Sequence, residues 1–332
     1  MSDSTLTRSR VVVLAILAGV SFSLIGVMYD LGKKRQPAVA VPQVMIVQTG
    51  VGLAVFVVCL LRRGNVRTVM LGAGSRRVWA GSAIAGTGQV GLLLLLELSF
   101  QHKLPLTPIW CANSLNFVPV ILYSWVVFRE PLNRLRQLAV LTAVGCVVIS
   151  SMSAQPGDGG AAAVTGPDGG NLWLLLTILT GVVVCNSANP MAMKDLSMKP
   201  AAGPVGLEGQ SLMRRHRDLY MVLLYAMVAL GAVAYCLVAG LPLLTPTTLV
   251  LGLGAAAGSV TGMALLAAVA EAEAAVVFTL NGIAGVMAAA IVSVLALGEP
   301  FSGKWIATMT LATAAIVLGS GMGRRKVREP SG

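Results

Sequence analysis

Charge-free runs dominate this chain. Eight stretches of 19 to 26 residues hold no Asp, Glu, Lys or Arg: 11–29, 36–61, 78–96, 104–128, 137–157, 169–193, 274–298 and 305–323. A ninth, from Leu219 to Ala270, runs for 52 residues. A bilayer core about 30 Å thick takes roughly 20 apolar residues as helix, so each of the eight suits one crossing. The ninth is too long for one. Its middle, "AGLPLLTPTT" (Ala239 to Thr248), carries two prolines and a glycine, which turn a chain between helices. Ten spans follow, at 11–29, 42–61, 78–98, 106–128, 136–153, 171–190, 218–239, 247–269, 275–297 and 303–322. Helices rather than barrel strands are expected, because the runs lack period-two alternation and lipid leaves no partner for unpaired amides. The first span is read as retained: its apolar core is longer than a signal peptide's, and Lys33, Lys34 and Arg35 separate it from the Ala-Val-Ala at 38–40.

Composition agrees. Of 332 residues, 56% are hydrophobic and 11% charged, with a mean hydropathy of +0.82; a soluble domain carries about a quarter charged residues. The net charge of +11 raises the question of nucleic acid, and its placement answers it. With the N-terminus inside, 19 of the 24 Lys and Arg fall on inside segments and 5 on outside loops, the positive-inside pattern. The cluster Lys33-Lys34-Arg35 is the exception. The cations hold loops at the cytoplasmic leaflet, and no nucleic-acid partner is needed. Both termini are expected in the cytoplasm, and for a bacterial protein the membrane would be the inner one.

A repeat organises the spans. "FREPL" (Phe128 to Leu132) closes the fourth span and "LGEPF" (Leu297 to Phe301) the ninth, with Pro131 and Pro300 169 residues apart. The same shift lays Ser124 on Ser293 and "CVVISS" (Cys146 to Ser151) on "AIVLGS" (Ala315 to Ser320). Earlier spans match loosely, with an insertion or deletion near Gly86 and Gly258. Between the fifth and sixth spans lies the Gly/Ala-rich "AQPGDGGAAAVTGPDGG", an outside linker. The domains are therefore 1–153, the linker 154–170, a second five-span unit 171–323, and a basic tail 324–332. Five is odd, so the second copy enters the membrane from the opposite side. Inverted repeats of this kind build alternating-access transporters with the site between the halves.

The segments "VVFREPLNRLRQLAVLTAVGCVVIS" and "LALGEPFSGKWIATMTLATAAIVLG" resemble the EamA-type branch of the drug/metabolite transporter superfamily over nearly the whole chain. The resemblance implies ten helices in two inverted five-helix repeats and a central cavity lined mainly by spans 1, 3, 4, 6, 8 and 9. It identifies no substrate. Two features depart from the family pattern: a long basic loop expected from Lys194 to Arg217, and the length of the outside linker.

Polar residues inside lipid spans usually turn inward. Here they are Gln89, Asn113, Asn116, Asn186, Asn189, Thr261 and Asn281. Asn113 and Asn116 share a helix face, as do Asn186 and Asn189, and such faces suit a neutral polar or zwitterionic solute. Interhelical hydrogen bonding is the structural alternative for each. Glu130 and Glu299 are read first as caps for the helix that follows Pro131 and Pro300, and second as gate contacts with the opposite half. Glu97, within "LLLLLELSF", is the acidic residue most surrounded by apolar neighbours, placed at a membrane interface. Pro119 and Pro190 are read as kinks or hinges. Gly252, Gly254, Gly258 and Gly262 permit close helix packing. Trp110, Trp173, Trp305, Tyr29 and Tyr220 lie near span ends, where aromatic belts form.

The function expected is secondary transport of a small organic solute across the bilayer by rocking of the two halves, without ATP, since no GxxxxGK[ST] loop is present. The alternative is an intramembrane enzyme or a lipid-handling scaffold. No catalytic cluster points to an enzyme: His102 and His216 fall in loops, away from partners. No cofactor or metal is expected, since all five cysteines sit within spans and none forms a CxxC pair.

Overall fold

The computed structural model describes residues 8–34, 39–62, 74–102, 113, 115–130, 170–200 and 211–297. It also describes 134, 137, 138, 140–142, 144, 145, 306, 307, 309–311, 313, 314 and 318. Among these, eight helices are continuous: α1 Arg8–Lys34, α2 Val41–Arg62, α3 Ser75–Gln101, α4 Phe117–Phe128, α5 Gly170–Ser197, α6 Leu212–Val238, α7 Pro246–Val269 and α8 Ala274–Leu297. Six of them contain stretches long and apolar enough to cross a membrane. The chain thus has the build of an all-helical, multi-pass membrane protein. The expected fifth and tenth spans, the linker, the tail, Pro131, Glu299 and Pro300 lie wholly or largely outside the described residues.

The helices turn their apolar surface outward. On α1, Val13, Leu17, Val20 and Leu24 form an exposed stripe at helical spacing, and Val250 and Leu253 do the same on α7. Inward faces combine a core of large apolar side chains, among them Leu93, Phe117, Leu196, Leu219 and Phe278, with small and polar residues. Glycines bring backbones together there. A Cβ at Gly19 would lie 2.1 Å from the Asn281 carbonyl oxygen, and one at Gly258 2.4 Å from that of Ser21. At Gly88 it would lie 2.6 Å from the Cys185 oxygen, and at Gly252 2.3 Å from the Val47 side chain. Gly254 and Gly262 meet Met28 and Phe22 in the same way. The glycines of α7 are therefore packing devices.

The closest helix pairs run between the two halves of the sequence. α1 packs on α7 and α8, α2 on α6 and α7, α3 on α5 and α6, and α4 on α5 and α8. Lesser contacts join α5 to α6, α2 to α3, α6 to α7 and α1 to α2. Among the described residues the halves are interleaved, and the main helix contacts of each half are with the other.

Local chemistry sets the helix ends. Ser211 caps α6 by accepting from the Arg214 amide at 3.2 Å. At α7, Thr245 and Thr248 form a reciprocal capping box with Pro246 in the first turn. Gly240, at φ +65°, makes the left-handed step between α6 and α7 that glycine takes at no steric cost. α4 ends at Phe128, three residues before Pro131, with Arg129 left-handed at φ 53°. The amides of Arg129 and Glu130 both point back to the Ser124 carbonyl.

Four sequence expectations change. The described α4 starts at Phe117 rather than 106, with 104–112 outside the described residues. Pro119 therefore sits in the first turn of the described α4, where its missing N–H costs no bond within that helix; Asn113, ahead of the turn at 115–116, is helical as well. Pro190 lies inside α5, which continues to Ser197 instead of stopping at 190. α5 runs on to Ser197 and α6 begins at Leu212, so both ends of the expected Lys194–Arg217 loop are helix, and 201–210 lie outside the described residues. His216 belongs to that helix, buried at a break with φ −112°, rather than to a loop.

Candidate functional site

Two polar layers cross the interior. The first joins α3, α5 and the segment before α4. The Gln89 amide donates to Asn186 Oδ1 at 3.3 Å, and Asn186 Nδ2 donates to the Asn113 carbonyl at 2.9 Å. Beside them Asn189 accepts from the Tyr220 hydroxyl at 2.8 Å and points its amide at Met263 Sδ, 3.4 Å away. That chain ties α6 and α5 to α7. Tyr225 of α6 is likewise 2.6 Å from Ser259 of α7.

Two side-chain amide oxygens in this interior have no hydrogen-bond partner among the described residues, Asn113 Oδ1 and Asn281 Oδ1, and the hydroxyls of Ser124 and Thr279 have none either. A buried carbonyl oxygen left unpaired costs about 1–3 kcal/mol, so each is a place where a solute donor would be welcomed. Asn113 hands its backbone carbonyl to α5, and the Asn281 carbonyl lies against Gly19 of α1.

The remaining candidates separate. Asn116 is half-buried at the start of α4 and makes no side-chain cap bond. Among the described residues Thr261 is exposed, on the face of α7 that carries Val250 and Leu253, opposite the buried Leu251, Ala255 and Ser259. The inward-polar rule fails for Thr261 because a single hydroxyl in an Ala/Gly-rich helix adds little to the choice of face. Glu97 is buried in the last turn of α3.

The second layer lies at the Glu130 end of the bundle. Lys194, on the part of α5 beyond Pro190, is fully buried, and its Nζ stands 2.5 Å from Glu130 Oε1. It also donates to the Ala272 carbonyl at 2.7 Å, while Glu130 Oε2 accepts from the Ala274 amide at 2.9 Å. The described bonds of Glu130 thus run to α5 and to the first residue of α8, not to the helix after Pro131. The carboxylate does cap a helix, but one in the other half of the sequence. Close by, Asp195 takes bonds from Tyr123 at 3.2 Å and Lys199 at 2.5 Å, and Ser211 donates to Glu271 at 2.5 Å. A shallow pocket of about 240 Å³ lies between Lys199, Ser211 and Glu271.

No protein-family model and no curated protein matches this chain. A solved structure does. It is described only as a crystal structure of a protein, and it superposes with a TM-score of 0.67 over 96% of this chain and 100% of its own at 16% identity. At that identity the likeness is one of fold.

Tyr220 and Tyr29 were expected in aromatic belts and are instead buried. Tyr220 holds Asn189, and Tyr29 donates to Gln48 at 2.7 Å. Trp173 is exposed, as a belt residue is; Trp110 and Trp305 lie outside the described residues. Among the described residues no group of His, Cys, Asp and Glu has the spacing of a metal site. Cys59, Cys185 and Cys236 are free thiols.

Proposed function

We propose that this protein is a secondary transporter of a small organic solute, of the EamA-type drug/metabolite transporter kind, working by alternating access. The observation that carries the proposal is the pairing of the helices. Exchange α1 with α5, α2 with α6, α3 with α7 and α4 with α8, and every packed pair named above is carried onto another packed pair or onto itself. Duplication of one module leaves that signature. The glycine contacts follow it too, with Gly88 of α3 on α5 matched by Gly258 of α7 on α1.

With ten spans, of which the fifth and tenth complete the two modules, an odd module length requires the copies to be inverted, and both termini lie in the cytoplasm. The moving bodies are swapped relative to the sequence. One contains α1, α2, α7 and α8, the other α3 to α6. They meet chiefly along α2–α6 and α4–α8, the two pairs that map onto themselves, with lesser contacts at α2–α3 and α6–α7. The first seam is glycine-packed and stacked, with Gly52 against Tyr225 and the Phe56 and Tyr225 rings 5.6 Å apart, and suits a hinge. The second bounds the asparagine layer and suits a gate.

Gln89, Asn113, Asn186, Asn189 and Asn281 then form the walls of the solute path. Unpaired oxygens at Asn113 and Asn281 select for a solute with N–H or O–H donors, such as an amino acid or a sugar. In proteoliposomes offered a mixture of isotope-labelled amino acids, sugars and nucleosides, the native protein is expected to carry at least one solute. Asn113→Leu and Asn281→Leu are each expected to lower that flux at least tenfold at equal protein yield, since a lost donor–acceptor contact in a site built for it discriminates strongly. Undiminished flux in both variants removes these residues from the path.

A further inference from the structure

The contacts at the Glu130 end have a direction to them. Lys194 and Glu130 belong to the body made of α3 to α6, and they neutralise each other. Each also spends one bond on the turn between α7 and α8, in the other body: Lys194 donates to the Ala272 carbonyl, and Glu130 accepts from the Ala274 amide. The Ala274 amide opens α8, so the carboxylate also meets the positive end of that helix. The turn offers one acceptor and one donor two residues apart, and the ion pair presents the complementary donor and acceptor. The geometry points to a latch: the Lys194–Glu130 pair is a two-pronged plug that holds the α4–α8 seam shut on the basic, cytoplasmic side. Opening on that side breaks both cross-body bonds, while the ion pair survives within its own body. The buried lysine therefore never stands as a lone charge during the cycle. The motion in question is that of the transporter proposed above.

The latch shields what lies behind it. Thr279, five residues beyond Ala274 and so about 7.5 Å deeper along α8 at 1.5 Å per residue, is fully buried with an unpartnered hydroxyl among the described residues. A thiol introduced by Thr279→Cys, with the native cysteines replaced by alanine, reports opening through its rate of reaction with a membrane-impermeant, charged methanethiosulfonate. The reagent is applied from the cytoplasmic side of membranes holding the full chain.

Labelling is expected to be slow with the latch intact and at least tenfold faster after Glu130→Gln or Lys194→Met. Ala274→Pro removes only the amide that Glu130 grips. Proline is tolerated in the first turn of a helix, so the protein folds, and labelling is expected to rise at least threefold. The decisive arm is the exchange Glu130→Lys with Lys194→Glu. It restores an ion pair but turns a donor toward the Ala274 amide and an acceptor toward the Ala272 carbonyl. The latch therefore predicts fast labelling, whereas a pair that merely stabilises its own body predicts slow labelling. Slow labelling in the exchange, or an unchanged rate in both Glu130→Gln and Ala274→Pro, overturns the latch. The readout needs no solute. An unchanged rate with normal flux sinks the latch alone, and the expected rates with no solute ever carried sink the transporter alone.

Discussion

Gly19→Leu is expected to leave almost no folded protein in the membrane, while Gly26→Leu on the same helix is expected to be silent. At position 19 even a Cβ would sit 2.1 Å from the Asn281 carbonyl oxygen and 3.0 Å from the Ala284 methyl, whereas at position 26 nothing lies within 4 Å. The obstruction at 19 is backbone in the middle of α8, which cannot swing aside as a side-chain tip would. Overpacking a core costs about 1–3 kcal/mol where side chains adjust, and here the helices themselves must part. Because α1 meets α8 across the sequence halves, the clash strikes the assembly of the two modules. Monodisperse yield after detergent extraction, compared between the two variants, is the measurement. Equal yields would mean that α1 and α8 do not pack as described.

The second large effect is electrostatic. Lys194→Met is expected to destabilise the protein by about 3–5 kcal/mol, the cost of leaving one charge of a buried pair without its partner. Combining it with Glu130→Gln is expected to recover most of that loss, since a neutral pair of similar volume strands no charge. Lys194 is fully buried and the Glu130 side chain 16% exposed, so water has little access to screen either. Thermal unfolding of the two single variants and the double variant closes the cycle. Strict additivity of the two losses would show that the groups do not interact.

Much of the fold can be read from charge-free runs, because in lipid the length of an apolar run and the length of a helix answer to the same 30 Å requirement. Seven of the expected spans have a continuous helix over much the same residues, and the turn around Gly240 falls where its prolines and glycine put it. Boundaries fared worse for one physical reason. Pro190 removes a single helical bond, and "MAMKDL" after it contains neither Gly nor a second Pro, so packing carries α5 on to Ser197. Lys194 and Asp195 look like loop charges until that extension is known. The polar contacts divide similarly. Asn186 and Asn189 announce themselves as polar residues in an apolar run, but Tyr220 and Lys194 stand near span ends where amphipathic side chains usually face the interface. Only the interleaving of α5 with α3 and of α6 with α2 buries them. Thr261 shows the converse, a polar side chain whose helix has a better face to bury.

Sidedness of the two Glu-Pro stops tests the duplication and inversion most directly. In a cysteine-free background, Arg134→Cys follows the first stop by a few residues and Lys304→Cys the second. Membrane-impermeant maleimide applied to intact cells and to inverted vesicles is expected to reach position 304 from outside and position 134 from inside. Labelling of both positions from the same side would contradict the inverted repeat and, with it, the alternating-access cycle.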